Sequence, residues 1–186
     1  MALSPNGADR INLFALVVYI PDPLAKFLDD LRTELVPACM PRAHVTMLPP
    51  RPLTNSPAAA IDQARAVVAD FAPFDIEIGE VEIFPTTDVI YLGIRKGERE
   101  LREVYRALNS GPLEFQEAFP YHPHVTLAQG LPHDQVAPLH ALARKQWAAF
   151  RHSRRLRAER ACFVQSKADC TWVDLAEFIL GGVPVR

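Results

Sequence analysis

Cysteine is scarce in this chain: Cys39, Cys162 and Cys170 are the whole complement. Their number is odd and no two form a Cys-x-x-Cys pair, so neither a disulfide framework nor a zinc knuckle is encoded. Ordinary thiols in a reducing cytoplasm are the expectation. An excess of one charge is also missing. Lys plus Arg is 20 against 22 Asp plus Glu, a formal net charge of −2. That argues against nonspecific binding to bulk nucleic acid and leaves room for a local basic patch. No hydrophobic run is long enough for a membrane helix; Leu13 to Ile20 is far too short. The opening MALSPNGADR lacks the charged region of a secretory leader. The expectation is a soluble, cytoplasmic, monomeric protein without a membrane partner. Glycine is sparse at 8, whereas proline reaches 17. The prolines are too scattered for a collagen-like or low-complexity chain. With 186 residues, a single domain can bury about 70% of its unfolded surface and needs no staple.

Residues 12–20 (NLFALVVYI) form a continuous β-rich run and read as a buried strand. Asp22-Pro23 then opens a helix carrying Leu24, Phe27, Leu28, Leu31 and Leu35, which Pro37 stops. A short strand over 43–48 follows, closed by Pro49-Pro50. Ser56-Pro57 caps a second helix with Ile61, Ala64, Val68 and Phe71. From Phe74 to Ile83 apolar and acidic residues alternate as in a half-exposed strand. The order then recurs: a strand at 89–94, a helix through Leu101 to Leu108, a strand at 122–128, and a helix within 132–147. In that last helix Pro138 fits best near the first turn. Strands at about 150–166 and 171–180 complete the chain.

The middle strand of each half carries the same tripeptide, His44-Val45-Thr46 and His124-Val125-Thr126, 80 residues apart. On a strand, residues i and i+2 face one side, so each His points with its Thr and each Val points away. One such tripeptide is a good strand sequence and nothing more. Two copies at matching places predict a duplication that sets two imidazoles and two hydroxyls around one cleft. That set suits metal-free phosphodiester chemistry. One neutral His accepts a proton, one protonated His donates one, and the Thr hydroxyls hold the phosphate oxygens. With both imidazoles starting near a pKa of about 6.5, a bell-shaped profile near neutrality is expected.

These motifs, together with Tyr121-His122-Pro123 ahead of the second, Phe84-Pro85, and Val164-Gln165-Ser166, resemble the 2H phosphoesterases. Within them the chain is most similar to the RNA 2′,3′-cyclic phosphodiesterases historically named 2′-5′ RNA ligases. The resemblance implies an α+β, bilobal, duplicated fold: two antiparallel sheets flanked by helices around a central cleft, in a single domain with lobes of about 10–84 and 85–182. It implies His44 and His124 as catalytic residues, Thr46 and Thr126 as phosphate-binding residues, and no required metal or organic cofactor. The implied reaction is hydrolysis of a 2′,3′-cyclic phosphate to a 2′-phosphate, with 2′-5′ ligation as a side activity. RNA termini bearing a cyclic phosphate are the implied partners; the modest charge makes small nucleotides a credible alternative. The family often has Arg where this chain has Gln129, three residues after Thr126. Arg51 is a candidate replacement cation, or else a solvated loop residue. Tyr121, with Phe84, Tyr91 and Phe119, is a candidate for base stacking, or else core. The five arginines of 151–160 read either as a rail for RNA phosphates or as a charged edge strand.

Overall fold

The computed structural model describes residues 9–37, 42–169 and 171–182; Cys39 and Cys170 lie outside them. The first apolar run is strand β1 (Arg10–Tyr19), buried from Phe14 to Val18. Helix α1 (Leu24–Leu35) buries Leu24, Leu28, Leu31 and Leu35, the stripe that its spacing dictates. Pro23 occupies the position before its first turn, and Asp22 accepts the Lys26 amide at 3.0 Å. Strand β2 (His44–Arg51) and helix α2 (Pro57–Ala69) follow. Ser56 caps α2 through the Ala59 amide, and Pro57 opens it. Next come β3 (Phe74–Ile83), β4 (Ile90–Lys96), α3 (Glu98–Leu108), a 3₁₀ turn (Gly111–Leu113), β5 (His124–Ala128), α4 (His133–Ala149), β6 (Arg155–Ala158), β7 (Arg160–Lys167) and β8 (Trp172–Ile179).

All strand pairs are antiparallel and make two four-stranded sheets, β2-β1-β7-β8 and β5-β4-β3-β6. The expected α+β architecture with two antiparallel sheets is therefore present. One expectation needs correction. The halves 10–84 and 85–182 are not the two sheets, because their third strands are exchanged. Strand β3, from the first half, lies between β4 and β6. Strands β7 and β8, from the second half, extend the sheet begun by β1. The helices cross over as well: α1 packs against β5, and α3 against β2. Neither half can bury its apolar face alone, and a single main core runs through both.

Smaller differences have local causes. Strand β2 runs through Pro49-Pro50 to Arg51 because it is an edge strand, where a missing amide costs no ladder bond. The strand expected over 150–166 breaks at Glu159. Its first piece, β6, pairs with β3, and its second, β7, pairs with β1, so this segment stitches the sheets together. Helix α4 contains Pro138 in its second turn, where little preceding helix must accommodate the ring. Among the described residues, no helix is long and apolar enough to cross a membrane.

Candidate active site

The two motif strands are the edge strands β2 and β5, one from each sheet, and they lie in contact. Val45 and Val125 are fully buried on the core side. His44, Thr46, His124 and Thr126 are partly exposed on the other face, as the alternation requires. The imidazoles are close enough that a proton on His124 works against one on His44. The strand geometry thus brings the four motif residues to one place.

Both histidines are oriented by the same device. His44 Nδ1 lies 2.6 Å from the Arg42 carbonyl oxygen, and His124 Nδ1 lies 2.7 Å from that of His122. A carbonyl only accepts, so each Nδ1 carries the hydrogen and each Nε2 is the reactive nitrogen. The Thr126 hydroxyl is 3.1 Å from His124 Nε2 and donates to it when that ring is neutral. Burial lowers both imidazole pKa values. His44 is pushed down to about 4, by desolvation first and then by Arg32, His124 and Arg42 against the opposing Arg42 carbonyl. His124 is also lowered, with burial the largest cause.

The surroundings of the two rings differ. On β1, Tyr19 is paired with His44, and Trp172 of β8 packs on the His44 ring at 4.4 Å. On β4, Gly93 is paired with His124. A Cβ there would meet Glu82 Oε1 at 2.8 Å, so the glycine makes room for the Glu82 carboxylate. A cavity of about 460 Å³ lies beside the second motif strand, lined by Gly79, Gly93, Arg95, Glu98, His122 and further glutamates; none of the four motif residues lines it. Phe84 and Tyr91 stack at 3.9 Å and meet the His122 and His124 rings in T-shaped contacts. Two of the aromatics named from the sequence therefore flank the second motif, whereas Phe119 is 57% exposed.

Arg51 is not a cleft residue. It is fully buried, and its guanidinium donates to the Pro49 carbonyl, Asn109 Oδ1, the Leu113 carbonyl and Glu117. It ties the end of β2 to the segment after α3. Tyr121 is also buried; its ring stacks on Tyr105 and its hydroxyl donates to the Thr46 carbonyl at 2.6 Å. It supports the site from behind instead of offering a stacking face. Gln129 is exposed just beyond β5. Of the basic segment, Arg155 pairs with Glu77, Arg157 with Asp75 and Glu159, and Arg160 with Glu177. Arg154 lies over the Trp147 ring. These arginines serve the sheets, and no rail of unpaired cations forms along 154–160. Among the described residues, no three His, Cys, Asp or Glu side chains converge where they could hold a metal ion.

Tyr19, Arg42, Trp172 and Asp174 belong to no motif and are visible only in the structure. Alternation along TWVD puts Trp172 and Asp174 on one face, but only the curl of the sheet brings β8 back over β2.

Comparison with known proteins agrees with this architecture. The family model described as the 2′-5′ RNA ligase superfamily matches residues 20–169. A protein of Oceanobacillus iheyensis is 30% identical over 48% of this chain and 52% of its own length. One from Halalkalibacterium halodurans is 23% identical over 67% of this chain and 74% of its own length. Both are provisionally named phosphoesterases. The chain thus spans about half the length of the first relative and three quarters of the second. Among solved structures, E. coli LigT complexed with 3′-AMP superposes with a TM-score of 0.62 at 16% identity, covering 94% of this chain and 99% of LigT. A Thermus thermophilus protein, TT0787, gives 0.59 at 18% identity, covering 91% and 98%. Two exchanged antiparallel sheets, paired motif strands and a family match over most of the length place the chain in the 2′-5′ RNA ligase superfamily, the 2H phosphoesterases.

Proposed function

We propose that this phosphoesterase hydrolyses 2′,3′-cyclic phosphates of RNA ends or nucleotides to 2′-phosphates, without a metal. The observation that carries the reading is the matched tethering of His44 and His124, each holding Nδ1–H on a carbonyl and leaving Nε2 for proton transfer. Water attacks phosphorus in line with O3′. The new P–O bond forms as the P–O3′ bond breaks. One imidazole takes the proton from water and the other gives a proton to O3′. The stronger depression of His44 favours it as the base, leaving His124 as the acid. Thr46 and Thr126 donate to the nonbridging oxygens, where charge builds up in the transition state. The same displacement, with a ribose 5′-hydroxyl in place of water, forms the new P–O bond as P–O3′ breaks and leaves a 2′-5′ linkage, the ligation side activity.

A specific observation favours small substrates over long RNA. Arg51 is buried, the 154–160 arginines are occupied, and the cavity beside His122 is lined by several glutamates. A cyclic mononucleotide, a short 2′-5′ oligonucleotide or a terminal nucleotide avoids repulsion that a phosphate chain would meet there. E. coli LigT, of the same fold, has been crystallised with 3′-AMP, phosphate and ATP, ligands of this size.

The deciding assay uses a 2′,3′-cyclic mononucleotide and an oligonucleotide with a cyclic end, both in EDTA, with the product isomer identified. The expected product is the 2′-phosphate, formed faster from the mononucleotide and abolished in His44→Ala and His124→Ala. Loss of turnover in EDTA rejects the metal-free route. Tight RNA-end binding without turnover makes the protein a binding module instead.

A further inference from the structure

Sheet β2-β1-β7-β8 curls until its two edges meet. Arg42, two residues before His44 at the start of β2, donates to both carboxylate oxygens of Asp174 on β8, at 3.0 and 2.8 Å. The Tyr19 hydroxyl donates to the same Oδ1 at 2.6 Å. The Arg42 guanidinium lies over the Tyr19 ring, 3.3 Å from its centroid. Trp172, on the same face of β8 as Asp174, packs on His44. Beneath this arrangement sits a small apolar cluster of Ala15, Val17, Cys162 and Val164, separate from the main core. Burial works against the Asp174 charge, yet the Tyr19 and Arg42 hydrogen bonds outweigh it and keep its pKa below the usual carboxylate value. The carboxylate is therefore an acceptor throughout the neutral range.

We propose that Tyr19, Arg42 and Asp174 form a clasp whose task is to position His44. Arg42 is the link, because its side chain is held by Asp174 and Tyr19 while its backbone carbonyl takes the His44 Nδ1–H. Fixing the guanidinium fixes that carbonyl. Trp172 then limits rotation of the ring from the other side. At His124 the arrangement differs: the carbonyl that holds it belongs to His122, whose exposed side chain meets the Phe84 and Tyr91 rings and forms no such ion pair. The inference rests on the reading of His44 as a proton-transfer group, and it identifies Arg42 and Asp174 as positioning residues.

A purely structural ion pair predicts something different. Side chains that are 57% and 40% exposed contribute little to stability. Asp174→Asn should therefore fold with an unfolding midpoint close to the parent, and Asp174→Glu should restore much of whatever function is lost. The test combines turnover of a 2′,3′-cyclic mononucleotide with nitrogen-15 spectra of the histidine rings. In the parent, the His44 spectrum should show Nδ1–H and a bare Nε2. In Asp174→Asn, kcat should fall roughly tenfold with KM little changed, as expected for a misplaced catalytic group. The His44 resonances should shift toward mixed tautomers while those of His124 stay put. Unchanged His44 resonances in Asp174→Asn overturn the clasp, and so does an equal disturbance of both histidines. The spectra need no turnover. If the parent fails to hydrolyse the cyclic nucleotide, the proposed reaction falls while the spectra still decide whether the clasp orients His44.

Discussion

The Tyr121 hydroxyl reaches the carbonyl of Thr46, tying the segment that enters β5 to the strand bearing the other motif. Burial raises the phenol's pKa, so it remains a donor at any working pH. The bond crosses between the two sheets and fixes the backbone beneath the first phosphate-binding hydroxyl. Tyr121→Phe keeps the stack on Tyr105 and removes only the donor. The expected cost is about 1 kcal/mol in denaturant unfolding. The fall in kcat should exceed what that stability loss explains, because Thr46 no longer has a fixed backbone. Parent-like kcat in this variant would show that Thr46 is held by its strand alone.

Arg51 predicts the opposite balance. Its guanidinium is buried with Asn109, the Leu113 carbonyl and Glu117, between the rings of Tyr105 and Phe115. Desolvation lowers its pKa and raises that of Glu117, so both charges depend on their mutual contact. Arg51→Ala removes the donor from four acceptors, of which Asn109 Oδ1 keeps the Phe115 amide, and should destabilise the protein by about 3 kcal/mol or more. At temperatures where the variant is folded, the KM for a cyclic mononucleotide should stay near the parent value. A tenfold rise in KM with intact stability would return Arg51 to the substrate.

The contrast between these two residues shows what the sequence makes legible. The paired His-x-Thr motifs are local: strand alternation alone sets which side chains face the cleft, and the repeat at 80 residues sets their partnership. Helix limits at Ser56-Pro57 and Leu24–Leu35 follow from capping chemistry and apolar spacing. The positions of Arg51 and Tyr121 are nonlocal. Nothing near Arg51 announces that the 109–117 segment will fold over it, and an arginine in a proline-rich stretch reads as loop. The exchange of β3 and β7 is equally hidden, since a strand's period does not name its neighbour. The Arg42–Asp174 contact needs a sheet curled edge to edge, which no pattern along β2 or β8 encodes.

Charge along the 154–160 segment supplies a third test. Arg155 and Arg157 alternate with buried Leu156 and Ala158 and pair with Glu77 and Asp75 on the adjacent strand. A double substitution to Gln should cost no more than about 1 kcal/mol per pair. It should leave the KM for an oligonucleotide with a cyclic end unchanged. The salt dependence of that KM should correspond to one or two phosphates, with a slope of about −0.7 in log affinity per phosphate for single strands. A steep slope that flattens in the double variant would establish these arginines as an RNA rail.

The histidines give a prediction whose sign is fixed by their burial. In the folded protein His44 is pushed down to about 4 and His124 is lowered too. A group with a depressed folded pKa takes up its proton more readily when unfolded. Between about pH 6.5 and 4 the unfolded chain therefore binds more protons, and stability must fall as the pH drops. Above about pH 6.5 both states are neutral at these sites and the contribution is complete. His44→Gln should flatten the slope across that window. Activity moves the same way. With His44 as base and His124 as acid, kcat/KM rises as His44 loses its proton and falls as His124 loses its own, so both limbs of the bell lie below the ordinary imidazole value. The optimum for free enzyme should be mildly acidic, not neutral as unperturbed imidazoles suggest. A bound phosphate adds negative charge beside both rings and raises both pKa values. The kcat profile should consequently lie at higher pH than the kcat/KM profile. Coincident profiles centred above about pH 7 would mean that the two motif imidazoles are not the groups exchanging protons with the substrate.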